Sequence, residues 1–185
     1  MAEIEGPTVR LRTPGRDDLE LLAGWYNDPE RVAPFDRFTL EPFDGFVRSV
    51  EAAPGDPASL APRFVIVRKP EGDVVGAVGH YRAHPVLESV DVWYLLGRPE
   101  LRGRGIGSEA VGLLVGHLFA TETVERVGAT CDIENVASAK LLERLGFRRE
   151  GTMVATLFHH GRWHDVHIYG VTRSEWSSRG SRAPG

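Results

Sequence analysis

Cysteine is almost absent from this chain, which carries one cysteine in 185 residues. A lone Cys131 cannot close an intramolecular disulfide, so the sequence excludes a disulfide-built scaffold and fits a reducing compartment. Long apolar runs are missing too, since none approaches the roughly 20 residues that a membrane helix requires. The acidic N-terminus lacks the basic and apolar regions of a signal peptide. These absences predict a soluble cytoplasmic protein with no membrane partner.

An excess of positive charge is also lacking. The chain carries 22 lysines and arginines against 26 aspartates and glutamates, a net charge of −4. Such a balance excludes a generally basic nucleic-acid surface. Hydrophobic residues make up 42% of the chain, which at this length supports one sizeable core. We therefore predict a single domain over residues 1–176 and a flexible tail over residues 177–185, where the composition is typical of disorder.

Short alternating runs and helically spaced apolar residues follow one another along the chain. The order predicts an α+β fold with a mixed, mostly antiparallel sheet of about seven strands and helices on both faces. A strand–helix–strand crossover over residues 89–133 places those two strands parallel. An aromatic-rich segment at residues 31–46 fits either a substrate wall or packing under a loop. Predicted strands occupy residues 8–12, 63–68, 74–82, 89–96, 124–133, 147–158 and 163–171, and predicted helices residues 17–25, 108–120 and 136–145.

A strand, a glycine-rich turn and a helix meet at Arg102, Gly103, Arg104, Gly105, Ile106 and Gly107. Glycines allow a tight turn and close approach of a ligand, while the first helix amides lack intrahelical partners. This arrangement predicts a phosphate or pyrophosphate site. A nucleotide-triphosphate loop requires lysine and serine or threonine after the last glycine, whereas Ser108 and Glu109 follow here. The glycine spacing also matches a dinucleotide fingerprint only weakly.

The pattern Arg102-x-x-Gly105-x-Gly107 resembles the acetyl-CoA pyrophosphate loop of the GNAT superfamily of N-acetyltransferases. A second match runs from Asn135 to Phe147 and is similar to the family's Asn-led helix that ends in Gly-Phe. Residues 160–166 are similar to the C-terminal hairpin of the Rim-like branch. That branch includes acetyltransferases of ribosomal-protein N-termini and relatives that act on polyamines or antibiotics. Together these matches extend over residues 9–176 in a consistent order.

The resemblance implies a V-shaped cofactor cleft with acetyl-CoA as cosubstrate and a primary amine as acceptor. The amine would belong to a protein N-terminus, a polyamine or another small molecule, and would attack the thioester directly in a ternary complex. Pantetheine would bond to main-chain groups near Tyr94, Leu95 and Leu96 and contact Asn135, which the sequence also predicts as a helix N-cap. Pyrophosphate would be held by Arg102, Gly103, Arg104, Gly105, Ile106, Gly107 and Ser108.

The catalytic residues implied by the resemblance are Asp91, Ser138 and Asp165. Many GNAT enzymes carry a tyrosine acid four residues before the Gly-Phe glycine, but this chain has Leu142 there. Ser138 or water must then protonate the leaving CoA, or the thiolate leaves unassisted. Asp91 stands where some members carry a base, and Asp165 would act as base or orient the amine. Both carboxylates also fit a structural ion pair, and Ser138 fits a small core-facing residue.

The histidines on the later strands show no cysteine or carboxylate set at zinc spacing, so we predict no metal. The residues concerned are His80, His159, His160, His164 and His167. His167 alternates with Asp165 and would also suit a base relay. Two other functions stay open: a non-catalytic acyl-CoA-binding module and an NAD or nucleotide enzyme. Residues 31–51 are expected to shape the acceptor end, and exposed strand edges are compatible with a homodimer.

Overall fold

A computed structural model of the chain describes residues 3–28, 44, 64–82 and 89–180. Eight strands occur there: β1 Glu3–Glu5, β2 Val9–Arg12, β3 Phe64–Arg68, β4 Val74–Tyr81, β5 Ser89–Leu96, β6 Arg126–Asp132, β7 Arg148–His159 and β8 Arg162–Thr172. They form one sheet in the order β1-β2-β3-β4-β5-β6-β8-β7. Only β5 and β6 pair in parallel, and every other neighbouring pair is antiparallel. The predicted mixed sheet is confirmed, with one strand more than expected.

Four helices of the described ranges accompany the sheet: α1 Arg16–Tyr26, α2 Ile106–Thr121, α3 Val136–Arg144 and α4 Arg173–Gly180. A short 3₁₀ turn, Pro99–Leu101, precedes α2. Helix α4 continues through Gly180, so it includes residues 177–180 of the predicted tail. The predicted aromatic segment at residues 31–46 lies, apart from Asp44, outside the described residues, as does the connection at residues 52–62.

Hydrophobic cores cover both faces of the sheet because successive strand residues point to opposite sides. Val90 and Val92 of β5 pack in the larger core with the buried face of α2, whereas Leu95 packs in a second core with α1. We call these sides the α2 face and the α1 face. Along α2, the fully buried residues recur at the spacing of one helical stripe, namely Ala110, Val111, Leu114, Val115 and Leu118. Helices on both faces are thus confirmed.

The strand that the sequence did not predict is β1, a three-residue edge strand containing two glutamates. It pairs with β2 through Ile4, which lies opposite Leu11. Ile4 is its only apolar side chain, and it packs against the α2-face core. One apolar residue shows no periodicity, so pairing with β2 rather than local sequence explains the strand. Among the described residues, no helix is both long and apolar enough to cross a membrane.

Candidate active site

A gap opens in the middle of the sheet between β5 and β6. The two strands pair only at their first residues, from Ser89 opposite Arg126 to Asp91 opposite Gly128. Beyond this point β5 continues to pair with β4 as far as Leu96, and β6 pairs with β8 as far as Asp132. The facing edges therefore diverge, and in the part of the chain that the structure describes no strand pairs with the backbone donors and acceptors along them. This is the V-shaped cleft expected between these strands.

The glycine-rich loop lies at the end of β5, where the cleft is widest. Gly103 and Gly105 have positive φ values of 75° and 85°, a conformation that side chains with a Cβ rarely adopt. Gly105 is the N-cap of α2, so the amides of Ile106, Gly107 and Ser108 occupy its first turn and lack intrahelical acceptors. The Ile106 side chain is buried in the core, so only its backbone is available to a ligand.

The charges around the loop favour an anion. Arg102 and Arg104 are both exposed. The one acidic residue in the first turn of α2, Glu109, accepts hydrogen bonds from the Thr8 and Val9 amides at 2.8 and 2.9 Å. Burial alone would raise the pKa of Glu109, but the hydrogen bonds from the Thr8 hydroxyl and from these two amides outweigh it and hold the pKa below its ordinary value. Its negative charge is thereby bound to β2, while the positive end of the helix dipole faces the loop.

A tyrosine and a serine meet on the α2 face of the cleft. The Tyr94 hydroxyl lies 2.5 Å from Ser138 Oγ, and the Asn135 side chain accepts a hydrogen bond from the Ser138 amide at 3.0 Å. Asn135 is therefore the N-cap of α3, as predicted. Burial raises the pKa of Tyr94, although its bond to Ser138 partly opposes the shift. Sequence reasoning assigned Tyr94 a main-chain role and missed its hydroxyl, since nothing local links it to Ser138.

Asp91 lies at the apex of the cleft on the opposite, α1 face. It shares the side of β5 with Trp93 and Leu95, so it and Ser138 stand on different faces of the sheet. The Arg126 guanidinium is 3.8 Å from Asp91 and 2.6 Å from Glu150. Burial is the largest influence and raises the pKa of Asp91, with Glu150 adding to the rise and Arg126 opposing it. The Asp91 side chain is one-fifth exposed, and its carboxyl group is less acidic than that of an ordinary aspartate.

The backbone of β6 passes close to the Asp91 side chain, and Gly128 leaves room for it there. A Cβ atom at Gly128 would lie 2.2 Å from Asp91 Oδ1 and 2.7 Å from an Arg126 nitrogen. The glycine therefore allows the carboxylate to lie across the neighbouring strand. Nothing in the sequence pattern around Gly128 indicated this, because the contact depends on the register between β5 and β6.

Asp165 is held within the β7–β8 hairpin, away from Asp91 and Ser138. Its side chain accepts a hydrogen bond from the Ala155 amide at 2.9 Å, and its carbonyl accepts one from Ile133 at 3.1 Å. Ala155 has a positive φ of 51° and lies in the irregular stretch of β7 between Met153 and Leu157. The Asp165 side chain thus stabilises a bulge. His167, which would also suit a base relay, lies within hydrogen-bond distance of Thr152 Oγ1, at 2.9 Å.

Three buried residues, Asp132, His159 and His164, form a cluster that their spacing along the sequence did not indicate. His159 Nε2 lies 2.8 Å and His164 Nδ1 3.3 Å from the same oxygen of Asp132. The two imidazole rings stack with centroids 3.5 Å apart. Asp132 ends β6, whereas the histidines come from β7 and β8, so only the strand order brings them together. The prediction of no metal rested on spacing along the chain and could not take this cluster into account.

Comparison with known proteins places the chain among acetyltransferases. The family model described as an acetyltransferase (GNAT) domain matches residues 8–148. The uncharacterized N-acetyltransferase p20 of Bacillus licheniformis is 29% identical over 173 residues, covering 91% of this chain and 95% of that protein.

Solved structures share the fold. The ribosomal-protein-S5-alanine acetyltransferase of Vibrio fischeri superposes with a TM-score of 0.78 at 24% identity, covering 95% of this chain and 99% of that one. The spermidine N-acetyltransferase of Vibrio cholerae, solved with CoA and spermine, gives a TM-score of 0.80 at 21% identity, with coverage of 92% and 98%.

Proposed function

The chain belongs to the GNAT acetyltransferase family and is an N-acetyltransferase, and from this premise we propose that it acetylates a primary amine by direct attack in a ternary complex. The observation that carries the proposal is the gap between β5 and β6, which opens beside a glycine-rich helix N-terminus. A gap with unpaired backbone edges suits an extended amide-containing chain, and the helix N-terminus suits a pyrophosphate. Acetyl-CoA contains both parts in one molecule.

In the proposed complex, the pantetheine arm lies along β5 and bonds to main-chain groups of Tyr94, Leu95 and Leu96. The pyrophosphate accepts hydrogen bonds from the amides of residues 103–108. Arg102 and Arg104 supply charge-assisted contacts at its edge, which are roughly twice as strong as neutral hydrogen bonds. Asn135 keeps its capping role and adds a side-chain amide near the arm.

Asp91 is the base that we propose for the acceptor. The incoming ammonium gives a proton to this carboxylate, directly or through one water molecule, and the free amine then attacks the thioester carbon. A carbon–nitrogen bond forms as the carbon–sulfur bond breaks. The thiolate leaves, and the second proton of the attacking nitrogen passes to solvent, which leaves a neutral amide. The raised pKa of Asp91 makes it a stronger proton acceptor than an ordinary aspartate, which suits this role.

Ser138 is proposed to stabilise the departing thiolate from the other face. Its hydroxyl donates to sulfur while the Tyr94 hydroxyl donates to Ser138 Oγ, so the two hydroxyls form one relay of hydrogen bonds. Full proton transfer from Tyr94 is uphill, because its pKa is raised above 10 while a free thiol has a pKa of about 8.5. A hydrogen bond to the thiolate is therefore the favoured contribution.

The acceptor class is proposed as a cationic amine on either a protein N-terminus or a polyamine. Asp91 and Glu150 both lie beside the Arg126 guanidinium, so the three side chains together leave one negative charge near the apex, which favours a cationic amine. The fold matches enzymes named for each substrate class. Asp165 remains a candidate for orienting the amine, although one of its oxygens is already bonded to Ala155. Residues 31–51, proposed to shape the acceptor end, lie apart from Asp44 outside the described residues.

Thiol release from acetyl-CoA, measured with an amine panel, tests the proposal. The panel contains spermidine, spermine and peptides with N-terminal alanine or serine. We expect at least one amine to accelerate release, and Asp91→Asn to reduce kcat/KM by roughly 10²- to 10⁴-fold, the usual contribution of a general base. The variant should still bind acetyl-CoA. If acetyl-CoA binds the natural protein yet no amine accelerates thiol release, the chain is instead an acyl-CoA-binding module.

A further inference from the structure

The cluster of Asp132, His159 and His164 lies outside the machinery proposed for acetyl transfer. All three residues are at most 4% exposed, and their side chains come from the end of β6, the end of β7 and the start of β8. A fourth group borders them, since Glu134 Oε2 lies 3.7 Å from His164 Nδ1. We call these four residues the histidine–carboxylate cluster.

Charge is the first reason to look for a cation there. The Asp132 side chain is completely buried, and a buried carboxylate is costly unless a positive charge compensates it. In the described part of the chain, its ion-pair partners are the two histidines, and neither lysine nor arginine contacts it. Arg162 pairs with Glu134 instead. Among the described residues, no permanently charged cation therefore lies beside Asp132, so a metal ion bound between Asp132 and the imidazole rings would be electrostatically favoured.

Hydrogen bonding is the second reason. One oxygen of Asp132 faces both imidazoles, while its other oxygen accepts from the Glu134 amide at 2.6 Å. His159 Nε2 and His164 Nδ1 therefore converge on a single oxygen, and a metal ion coordinated by all three atoms would satisfy them together. His164 Nε2 lies on the far side of its ring and is not part of the site.

Spacing is the third reason. A tetrahedral zinc ion with ligand bonds of about 2.0–2.1 Å separates its ligand atoms by roughly 3.3–3.4 Å. The observed separations of 2.8, 3.3 and 3.7 Å bracket that value. Two imidazoles and two carboxylates are ligand types that zinc accepts, and the two carboxylates neutralise its charge. The stacked rings, 23° from parallel, must open for both nitrogens to face one ion.

We propose that the histidine–carboxylate cluster is a structural site for a divalent transition metal of the zinc class. Asp132, Glu134, His159 and His164 supply its ligands. The metal would join the β7–β8 hairpin to the turn between β6 and α3. That turn leads directly to Asn135 and Ser138, since the Asn135 amide bonds to the Asp132 carbonyl at 3.0 Å. Binding would therefore stiffen one wall of the cleft and add stability without taking part in acetyl transfer.

Metal content of untagged protein tests the proposal directly. After treatment with a chelator and addition of one equivalent of Zn²⁺, we expect one zinc per chain to survive gel filtration. At a free metal concentration 100-fold above Kd, the melting temperature should rise by about 5–10 °C. His164→Gln and Asp132→Asn should lose both effects. The matched control is His117→Gln, which removes a histidine on α2 that contacts Phe64 and should retain both.

A second measurement needs no variant. Co²⁺ added to the metal-free natural protein should produce the visible absorption of a tetrahedral site, and Zn²⁺ should abolish it. An absence of that spectrum together with no retained zinc overturns the proposal, even if the variants unfold. Equal zinc retention by natural protein and a folded His164→Gln variant also overturns it. Acetyl transfer is expected in metal-free protein, so failure of the metal site leaves the proposed function untouched.

Discussion

Arg126 and Glu150 act on Asp91 in opposite directions, and this provides a test of Asp91 as the base. Asp91 must be ionised to accept a proton, so kcat/KM falls as the pH drops through its pKa. Arg126 lowers that pKa and Glu150 raises it. Arg126→Gln should therefore move the acid limb of the pH–rate profile to higher pH, and Glu150→Gln should move it to lower pH.

The control for this pair is Asp91→Asn, which should remove the acid limb from whatever activity remains. Shifts of the same sign in the Arg126 and Glu150 variants would show that another group controls the limb. The structure favours shifts in opposite directions because the Arg126 guanidinium bonds to Glu150 at 2.6 Å and also lies beside Asp91.

Ser138 and Tyr94 form the second residue-scale test. Hydrogen bonds to a charged group contribute about 1.5–3 kcal/mol, so Ser138→Ala should lower kcat roughly 10- to 100-fold. The acetyl-CoA dissociation constant should change little, because the charge on sulfur develops only during reaction. Tyr94→Phe should show a smaller loss, since it acts through Ser138. Replacing acetyl-CoA by a thioester with a more acidic thiol should reduce both losses in steady-state assays.

At the scale of elements, the start of α2 depends on Gly105. Its φ of 85° is strained for alanine, at about 1–3 kcal/mol, so Gly105→Ala should displace the loop amides and raise KM for acetyl-CoA by about 5- to 100-fold. The matched control is Gly24→Ala within α1, where an added Cβ meets no atom of the described residues within 4 Å. That variant should keep KM and gain about 0.5–1 kcal/mol, measured by urea unfolding. Equal KM values for acetyl-CoA in the two variants would show that the loop does not contribute to cofactor binding.

The elements were largely predictable because each carries its own pattern. Asn135 marked the N-terminus of α3, Gly146 its end, and the apolar stripe of α2 its buried face. β1 was not predictable because Ile4 alone carries its pairing. The histidine–carboxylate cluster was not predictable either. Asp132 and His159 are 27 residues apart, and they meet only because β8 lies between β6 and β7 in the sheet.

The candidate site likewise contains residues that a local sequence pattern indicates and contacts that only the tertiary structure creates. The glycine-rich loop is local, so its residues were readable from sequence, and its placement at the cleft followed from the crossover. The Tyr94–Ser138 contact joins residues 44 positions apart, and the packing of Asp91 over Gly128 depends on parallel register. Contacts of this kind depend on tertiary structure. A hydrophobic pattern places a side chain on a face but does not select its partner.

For the whole molecule, thermal stability should respond to the cofactor. A ligand at 100 times its Kd stabilises the native state by about 2.7 kcal/mol, which for this size corresponds to a rise of about 5–10 °C. We expect CoA or acetyl-CoA to produce that rise and NAD or ATP to produce none. Stabilisation by NAD or ATP, with no effect of CoA, would favour a nucleotide enzyme over the proposed function.

Self-association is also a property of the whole molecule. β7 forms one edge of the sheet, and Val154, Phe158 and Trp163 of the terminal hairpin are 76%, 54% and 61% exposed. An exposed edge with apolar side chains favours pairing with another chain. A homodimer stays a prediction, and light scattering on the purified protein measures it. Phe158→Glu should convert a dimer formed through this edge to monomer.

The diverging edges of β5 and β6 have a consequence for amide hydrogen exchange. Among the described strands, none pairs with the β6-facing edge of β5 between Trp93 and Leu96, or with the facing edge of β6 beyond Gly128. A bound pantetheine arm would occupy that position as a surrogate strand and complete the hydrogen bonding of the sheet. The cofactor would then slow exchange in the centre of the sheet rather than at its periphery. By mass action, the same bound cofactor would lower the population of locally opened states in this part of the sheet.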